Sequence, residues 1–186
     1  MRAAVAIAIA VALAATACAE ETPEPKPPAS AAKPQSRQLH WNERYTEGDN
    51  SIAFRVRSFD VTEGGWRADI SMTNDTKTRF EVGNPGATLD RAFGVMLFGT
   101  GDLRELEQRN ASNELPGIRR AERFRPALPL VLEPGATWSG TMEASGALAA
   151  SRWVRVVFGA LVPIGDPPES FPPALVWITD HTFQLR

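Results

Sequence analysis

Two segments of the chain alternate strictly between apolar and polar residues. Residues 66–73, WRADISMT, and residues 138–144, WSGTMEA, each begin with a tryptophan and place an apolar or small residue at every second position. Side chains two residues apart point to the same face of a β-strand, so a period of two indicates a strand with one buried face. Both segments are therefore predicted to be antiparallel strands that turn one face to a core and the other to solvent.

Further strands are predicted on both sides of these two. Residues 52–56 alternate in one phase and residues 59–61 in the other, which predicts a β-bulge near Ser58. The denser apolar runs AFGVMLF, LPLVL, WVRVVFGALV and LVWI predict central strands, and Pro129 places LPLVL at a sheet edge. About eight short strands separated by Gly, Pro and Asn turns predict an all-β fold, an antiparallel β-sandwich.

Two blocks of sequence resemble the immunoglobulin-like, telokin-type domains of secreted bacterial lipoproteins. Residues 54–82, FRVRSFDVTEGGWRADISMTNDTKTRFEV, are similar to the front half of such a domain, in which a strand ends in T-N-x-[ST] before a polar loop. Residues 128–144, LPLVLEPGATWSGTMEA, are similar to its back half, where a Leu-x-Pro-Gly turn leads into a strand bearing Gly. The resemblance implies an immunoglobulin-like sandwich and no particular activity.

A long segment, residues 99–127, separates two of the predicted strands. Loops above about 12 to 15 residues are often functional or disordered, so this segment is the most individual part of the chain. Asp102 and Glu105 have capping-box spacing and predict a helix start, and PGIRRAERF predicts one or two further helical turns. The fold is thus expected to carry a long, partly helical insertion. Three apolar residues should pack it onto the sheet: Leu106, Ile118 and Phe124.

The N-terminus has the order of a bacterial lipoprotein signal. Arg2 precedes an apolar run of about ten residues, which suits a signal peptide and is shorter than the roughly 20 residues of a membrane-spanning helix. Small residues then lead into Cys18, the only cysteine of the chain. The resemblance implies a signal peptide over residues 1–17 and lipidation of Cys18. The alternative is an ordinary secretory signal cut after Ala17 or Ala15.

The predicted lipidation implies a cellular location and divides the chain into three parts. Residues 18–38 hold the lipidated cysteine and a Pro-rich tether too poor in large apolar side chains to fold, and residues 39–186 form the sandwich domain. The protein is expected to be exported and lipid-anchored in the cell envelope. Ala19 favours the outer membrane in a diderm host, and a monoderm host would hold the domain on the outer face of its plasma membrane.

Composition and residue pattern argue against several chemistries. A formal net charge of −2 does not suit nucleic-acid binding. Asp180 and His181 are adjacent, so on a strand they would point to opposite faces, and no G-x-S-x-G elbow or cysteine nucleophile accompanies them. His181 is expected to be a strand residue at a sheet edge. We predict no catalytic residues, no metal site and no cofactor. Three methionines fall on apolar strand faces, which favours core packing over copper binding: Met72, Met96 and Met142.

Aromatic and basic residues provide the remaining candidates for binding. Four tryptophans lie within predicted strands, whereas Trp41 precedes the core and is expected to be the most exposed. The candidate binding residues are four arginines of the long segment: Arg119, Arg120, Arg123 and Arg125. Arginine is favoured at interfaces. The alternative interpretation is a solvated face paired with the nearby acidic residues Asp102, Glu105, Glu107 and Glu114.

These observations together predict a membrane-anchored binding module without catalytic activity. Its partner is expected to be a protein or a cell-wall polymer. The alternative is an inhibitor or accessory subunit of an exported enzyme, acting through residues 99–127.

Overall fold

The protein is described by a computed structural model over residues 30–83, 92–169 and 171–186. The predicted signal peptide, Cys18 and the tether up to residue 29 lie outside the described residues. The described elements in chain order are β1 (Gln35–Glu47), β2 (Asn50–Val61), β3 (Gly65–Asn74), β4 (Arg79–Val82), β5 (Gly94–Phe98), α1 (Leu103–Ala111), β6 (Arg119–Arg120), β7 (Arg123–Arg125), β8 (Val131–Leu132), β9 (Thr137–Ser145), β10 (Trp153–Ile164), β11 (Leu175–Ile178) and β12 (Phe183–Gln184).

The strands form two antiparallel sheets, which confirms the prediction of an all-β sandwich. The first sheet has the order β1-β2-β3-β9-β7. The second sheet has the order β6-β5-β10-β4-β8, and β11 and β12 also pair with β10. Aromatic side chains join the two sheets, since the Phe54 ring of β2 lies 5.0 Å from that of Phe158 on β10 and 5.6 Å from that of Trp177 on β11. The core of the domain lies between the sheets.

The alternating segments have the predicted orientation. Trp66 on β3 is 2% exposed and Trp138 on β9 is 7% exposed, while Arg67 between the inward residues of β3 is exposed. The pairing of β2 with β3 shifts register between Val56 and Ser58, so the predicted bulge is confirmed. Pro129 precedes β8, which pairs with β4 at the end of the second sheet, as expected of an edge strand.

The folded region begins earlier than residue 39. Ala31 forms a β-bridge with Ala149, and Gln35 at the start of β1 pairs with Val61 of β2. Residues 35–38 of the predicted tether are therefore strand residues. Strand pairing is made by backbone groups, so a stretch without large apolar side chains can still extend a sheet whose partner strand is already in place.

Trp41 is buried, which corrects the expectation that it would be the most exposed tryptophan. It lies opposite Val56 on the inward face of β1, is 8% exposed, and stacks on the ring of His181 at 5.8 Å. His181 itself lies between β11 and β12 rather than within a strand. The two residues are far apart in sequence, so only the tertiary fold could bring them together.

Residues 99–127 cover the outer face of the second sheet. Leu106 of α1 joins a cluster with Met96, Phe98 and Val157, and Ile118 packs against it. Phe124 instead reaches the main core, where its ring lies 5.7 Å from that of Phe93. The three apolar residues predicted to pack the segment onto the sheets therefore do so, and the second sheet is covered on both faces.

The start of α1 follows the predicted capping spacing with one difference. Asp102 is the N-cap and accepts from the Arg104 amide at 3.0 Å. The Glu105 carboxylate accepts from the amides of Thr100 and Gly99, and not from that of the N-cap residue.

Among the described residues, no helix combines the length and apolarity needed to cross a bilayer.

The segment PGIRRAERF contains strands rather than the predicted helical turns. Arg119 and Arg120 pair with β5, and residues 123–125 pair with β9. The sequence R-F-R has a period of two, and β7 buries Phe124 while both flanking arginines remain exposed. Pairing with existing sheet edges decides the conformation here, which is a tertiary effect that overrides local helix propensity.

A buried arginine links the long segment to the C-terminal part of the chain. Arg155 on β10 is fully buried, and its guanidinium donates to the carbonyl oxygens of Thr179 at 2.7 Å and Asp180 at 2.5 Å. It also donates to the carbonyls of Gly101 and Asp102 at the start of α1. Burial lowers the pKa of Arg155 below its ordinary value, although the charge of Asp180 opposes this shift.

A carboxylate joins the two sheets at one edge. The Glu43 side chain on β1 is only 5% exposed and accepts from the indole of Trp177 at 2.7 Å. It also accepts from the amides of Asp180 and His181 at 3.0 Å and contacts Nδ1 of His181 at 2.8 Å. This Glu43 clasp fixes the C-terminal loop of the second sheet against the first strand of the first sheet.

The inward tryptophans of β3 and β9 provide a first test of the core. Trp66→Ala and Trp138→Ala should each lower the free energy of unfolding by about 3–5 kcal/mol, because a large buried ring leaves a cavity. The control is Leu130→Ala, at a residue that is 74% exposed. Chemical denaturation of the three variants measures the difference, and a loss below about 1 kcal/mol at either tryptophan would remove that strand face from the core.

The Glu43 clasp provides a second test. Glu43→Ala should lower the free energy of unfolding by about 2–3 kcal/mol, because hydrogen bonds to a charged acceptor are lost and the Trp177 and backbone donors lose their partner. Glu63→Ala, in an exposed turn, is the matched control. Equal unfolding free energies for the two variants in denaturant titrations would show that the clasp contributes nothing to stability.

Candidate functional site

The outer face of the first sheet is a polar surface built from four rows of side chains. Because inward and outward residues alternate, each row crosses the strands at residues opposite one another. The rows are Ser36, Asp60, Arg67, Glu143 and Arg123; Gln38, Ser58, Asp69, Thr141 and Arg125; Asn42, Arg55, Ser71 and Ser139; and Arg44, Ala53, Thr73 and Thr137. We call this surface the outer face.

The carboxylates of the outer face are held by neighbouring side chains. Asp60 accepts from Ser36 and from Arg67, whose Nη2 lies at 2.9 Å. Asp69 accepts from Ser58 at 3.0 Å and from Thr141 at 2.7 Å. Glu143, in the same row as Asp60, is the partner of the two arginines of β7. Acceptor capacity on this face is therefore largely used within the face itself.

The electrostatics of Asp60 follow from these contacts. Partial burial opposes ionisation of the carboxyl, but the hydrogen bonds from Ser36 and Arg67 and the charge of Arg67 outweigh it, so the pKa of Asp60 lies below its ordinary value. The hydrogen bond and charge of Asp60 correspondingly raise the pKa of Arg67. The pair thus stays ionised across the neutral range, and Arg67 is committed to a partner within the protein.

Two arginines of the outer face have no such partner. Arg55 and Arg57 on β2 are exposed, and among the described residues neither makes a side-chain hydrogen bond or an ion pair. Arg57 lies at the β2 bulge, between the paired residues Val56 and Ser58. The charged side chains of the outer face that lack a partner are therefore cationic hydrogen-bond donors.

Three shallow depressions of the surface all lie on the outer face. One of about 300 Å³ is bounded by Arg67, Arg123 and Glu143. A second of about 290 Å³ includes Arg57 and Asp69, and a third of about 230 Å³ includes Arg55 and Arg44 among its lining residues. All three are open to solvent, in contrast to the clefts that bury most of a small ligand. A shallow, charged face suits contact with a macromolecule.

The four arginines predicted as a cluster are divided between the two sheets. Arg123 and Arg125 lie on β7 at one side of the outer face, where they contact Glu143 at 2.9 Å and 3.5 Å. Arg119 and Arg120 lie on β6 at the edge of the second sheet. The predicted cluster thus contributes only two of its members to the candidate site.

The acidic partners expected for these arginines are also different. Glu105 of α1 pairs with Arg109 at 2.9 Å rather than with an arginine of the cluster. The partner of Arg123 is Glu143, 20 residues further along the chain on β9. Cross-strand pairing places these two residues opposite each other, and local sequence cannot show it.

The side chains of Asp180 and His181 form no hydrogen bond or ion pair with each other. The imidazole of His181 contacts the Glu43 carboxylate, and Asp180 contributes its backbone amide to the same carboxylate. Burial raises the pKa of the Asp180 side chain above its ordinary value, and the charge of Glu43 adds to this. The polar groups in this region serve the Glu43 clasp. Among the described residues, no group of three or more His, Cys, Asp or Glu side chains has an arrangement that could hold a metal ion.

The alternation of β2 and β3 indicates outward arginines that are not among the four candidate residues. Residues 52, 54 and 56 share one predicted strand face, so the same alternation places Arg55 on the opposite face. Arg67 follows in the same way from the inward position of Trp66. The missing information was the strand order, which brings these residues to one surface with Arg123 and Arg125.

Comparison of the chain with protein-family models, with curated proteins and with solved structures finds no match. The function must therefore be inferred from the outer face itself.

Proposed function

We propose that the protein is a lipid-anchored interaction module of the cell envelope that binds its partner through the outer face of the first sheet. The observation that carries this proposal is the state of the charges on that face. Three carboxylates in its rows, those of Asp60, Asp69 and Glu143, have side-chain partners within the domain. Arg55 and Arg57 have none among the described residues, so they are available to an external acceptor.

The proposal includes the type of domain, an immunoglobulin-like sandwich. Two antiparallel sheets facing each other are compatible with an immunoglobulin-like sandwich, and residues 99–127 would be an insertion that covers the second sheet. Such a cover leaves the first sheet as the broad strand surface available for binding. Arg123 and Arg125 of the same segment extend that surface by one strand.

The anchor is supported by the N-terminal sequence and by the place where the chain enters the domain. Cys18 follows the small residues of a lipoprotein-like signal. The Ser30 carbonyl accepts from the Ala150 amide at 2.7 Å, so the chain joins the sandwich at the connection between β9 and β10. The chain between Cys18 and Ser30 could span at most about 40 Å. The outer face would thus act within a short distance of the membrane.

Lipidation gives a direct test of the anchor. Cys18→Ser should move the protein from the membrane fraction to the soluble fraction or leave an uncleaved precursor, because the thiol that forms the thioether is lost. The measurement is fractionation of cells together with metabolic labelling by a clickable fatty acid. A variant that remains labelled and sediments with the membranes would contradict the anchor.

The binding role of the outer face can be tested in intact cells. A photoreactive amino acid at Asn42, an exposed residue of the third row on the edge strand β1, should crosslink the partner, and Arg55→Ser/Arg57→Ser should reduce the crosslinked product at least tenfold. The loss is expected because two unpaired cationic donors are removed. The matched control is Arg104→Ser/Arg119→Ser, which removes the same charge from exposed residues outside the outer face.

Comparable thermal midpoints would show that both double variants remain folded. If the two variants crosslink equally well, the outer face is only a solvated surface, and the proposed function is wrong.

A further inference from the structure

The outer face contains a groove that runs along the strands. Its walls are long cationic side chains: Arg57 on β2 and Arg125 on β7 flank the second row, and Arg55 extends the β2 wall along the third row, beyond the end of β7. Along the second to fourth rows, the two strands between them, β3 and β9, carry Asp69 and five short polar side chains on the same face: Ser71, Thr73, Thr137, Ser139 and Thr141. Because β2 and β7 are three strand spacings apart, the walls are separated by about 14 Å at the backbone. That width accommodates one extended chain between the walls.

The exposure of the short residues differs between the two strands of the floor. Ser71 on β3 is only 4% exposed, whereas Ser139 on β9 is exposed. Arg57, Asp69, Ser139 and Thr141 bound one depression, so residues from β2 and β9 meet across β3. The hydroxyl strip therefore forms the floor of a shallow groove that is deepest at β3.

The chemistry of the groove selects among classes of ligand. Its unpaired donors, Arg55 and Arg57, call for an anionic ligand. None of the four rows contains an aromatic residue, so sugar rings and nucleic-acid bases find no platform for stacking. The floor also carries the Asp69 carboxylate and several hydroxyls, which can accept as well as donate.

A polypeptide matches this mixture better than a uniform polyanion does. Its backbone offers amide donors and carbonyl acceptors to the hydroxyl strip, and acidic side chains reach the arginines on either wall. A chain with a phosphate at every unit would instead bring negative charge against Asp69, which lies on the floor and is committed to Ser58 and Thr141. Like charges brought together at an interface are unfavourable.

We propose that this groove binds an extended, acidic segment of a partner protein. The inference rests on the proposed function, since it names the class of partner that the outer face recognises. The segment lies along β3 and β9 with its carboxylates directed to Arg55 and Arg57 on one side and to Arg125 on the other.

The test uses the full chain in detergent and a defined probe. The probe is a fluorescein-labelled 12-residue peptide of repeating Glu-Glu-Thr-Thr, which places carboxylates on both sides of an extended chain, and its binding is measured by fluorescence anisotropy at low ionic strength. Arg57→Ser/Arg125→Ser removes one arginine from each wall and leaves the Arg123–Glu143 pair in place. This variant should raise the Kd at least tenfold, whereas the control Arg104→Ser/Arg119→Ser should change it less than twofold.

A second variant separates shape from charge. Ser139→Tyr fills the floor without altering charge and should also raise the Kd at least tenfold, while Gln108→Tyr, at an exposed neutral residue of α1, should not. A peptide of repeating Lys-Lys-Thr-Thr should not bind. Thermal midpoints within a few degrees of that of the unaltered protein show that the variants are folded.

The outcomes distinguish this inference from the proposed function. The groove is supported if both groove variants weaken peptide binding and neither control variant does. Equal effects of the groove and control variants, or binding unaffected by Ser139→Tyr, overturn it. Arginine-dependent binding of polyphosphate without binding of the acidic peptide overturns the assignment to a protein segment and leaves the binding role of the outer face standing. If neither probe binds, the groove assignment is wrong, and the Asn42 crosslinks in cells then decide the proposed function alone.

Discussion

Burial of β10 on both faces is the constraint on which the architecture depends. All eight residues from Val154 to Leu161 are buried, and seven of them, all but Gly159, bury a side chain. The inward face packs on the first sheet through contacts such as that between Phe158 and Phe54. The outward face, with Val157, requires a second layer, and residues 99–127 supply it. A strand that is apolar on both faces cannot lie at the surface of a two-layer sandwich.

The same requirement explains how a charged residue comes to lie within this layer. Arg155 points outward from β10, under the start of α1, and its guanidinium donates to backbone carbonyls on both sides. It also lies over the Phe98 ring at 5.4 Å. An unpaired charge would be costly in this position, and four carbonyl acceptors together with the ring face reduce that cost. Arg155 thereby ties the covering segment to the residues that follow β11, so the cover and the Glu43 clasp share one loop.

The extent to which the sequence predicts this structure depends on the range of each interaction. The inward positions of Trp66 and Trp138 and the bulge near Ser58 follow from alternation, which neighbouring residues encode. Burial of Trp41 and pairing of Arg123 with Glu143 depend instead on which strands become neighbours. Strand order is a property of the whole chain, and no local pattern contains it. For the same reason the sequence indicates arginine as the binding residue type, but only two of the four candidate arginines lie on the outer face.

The register of the strands in the first sheet determines both which side chains form the core and which form the outer face. Phe54 and Val56 are held inward by packing, so the intervening Arg55 is fixed outward, and Phe124 on β7 does the same for Arg123 and Arg125. A slip of one residue would carry these arginines into the core, which makes the register strongly specified. The positions of the groove walls are therefore maintained by the hydrophobic core and need no contacts of their own. Binding then orders only side chains on a fixed backbone, which keeps its entropic cost low.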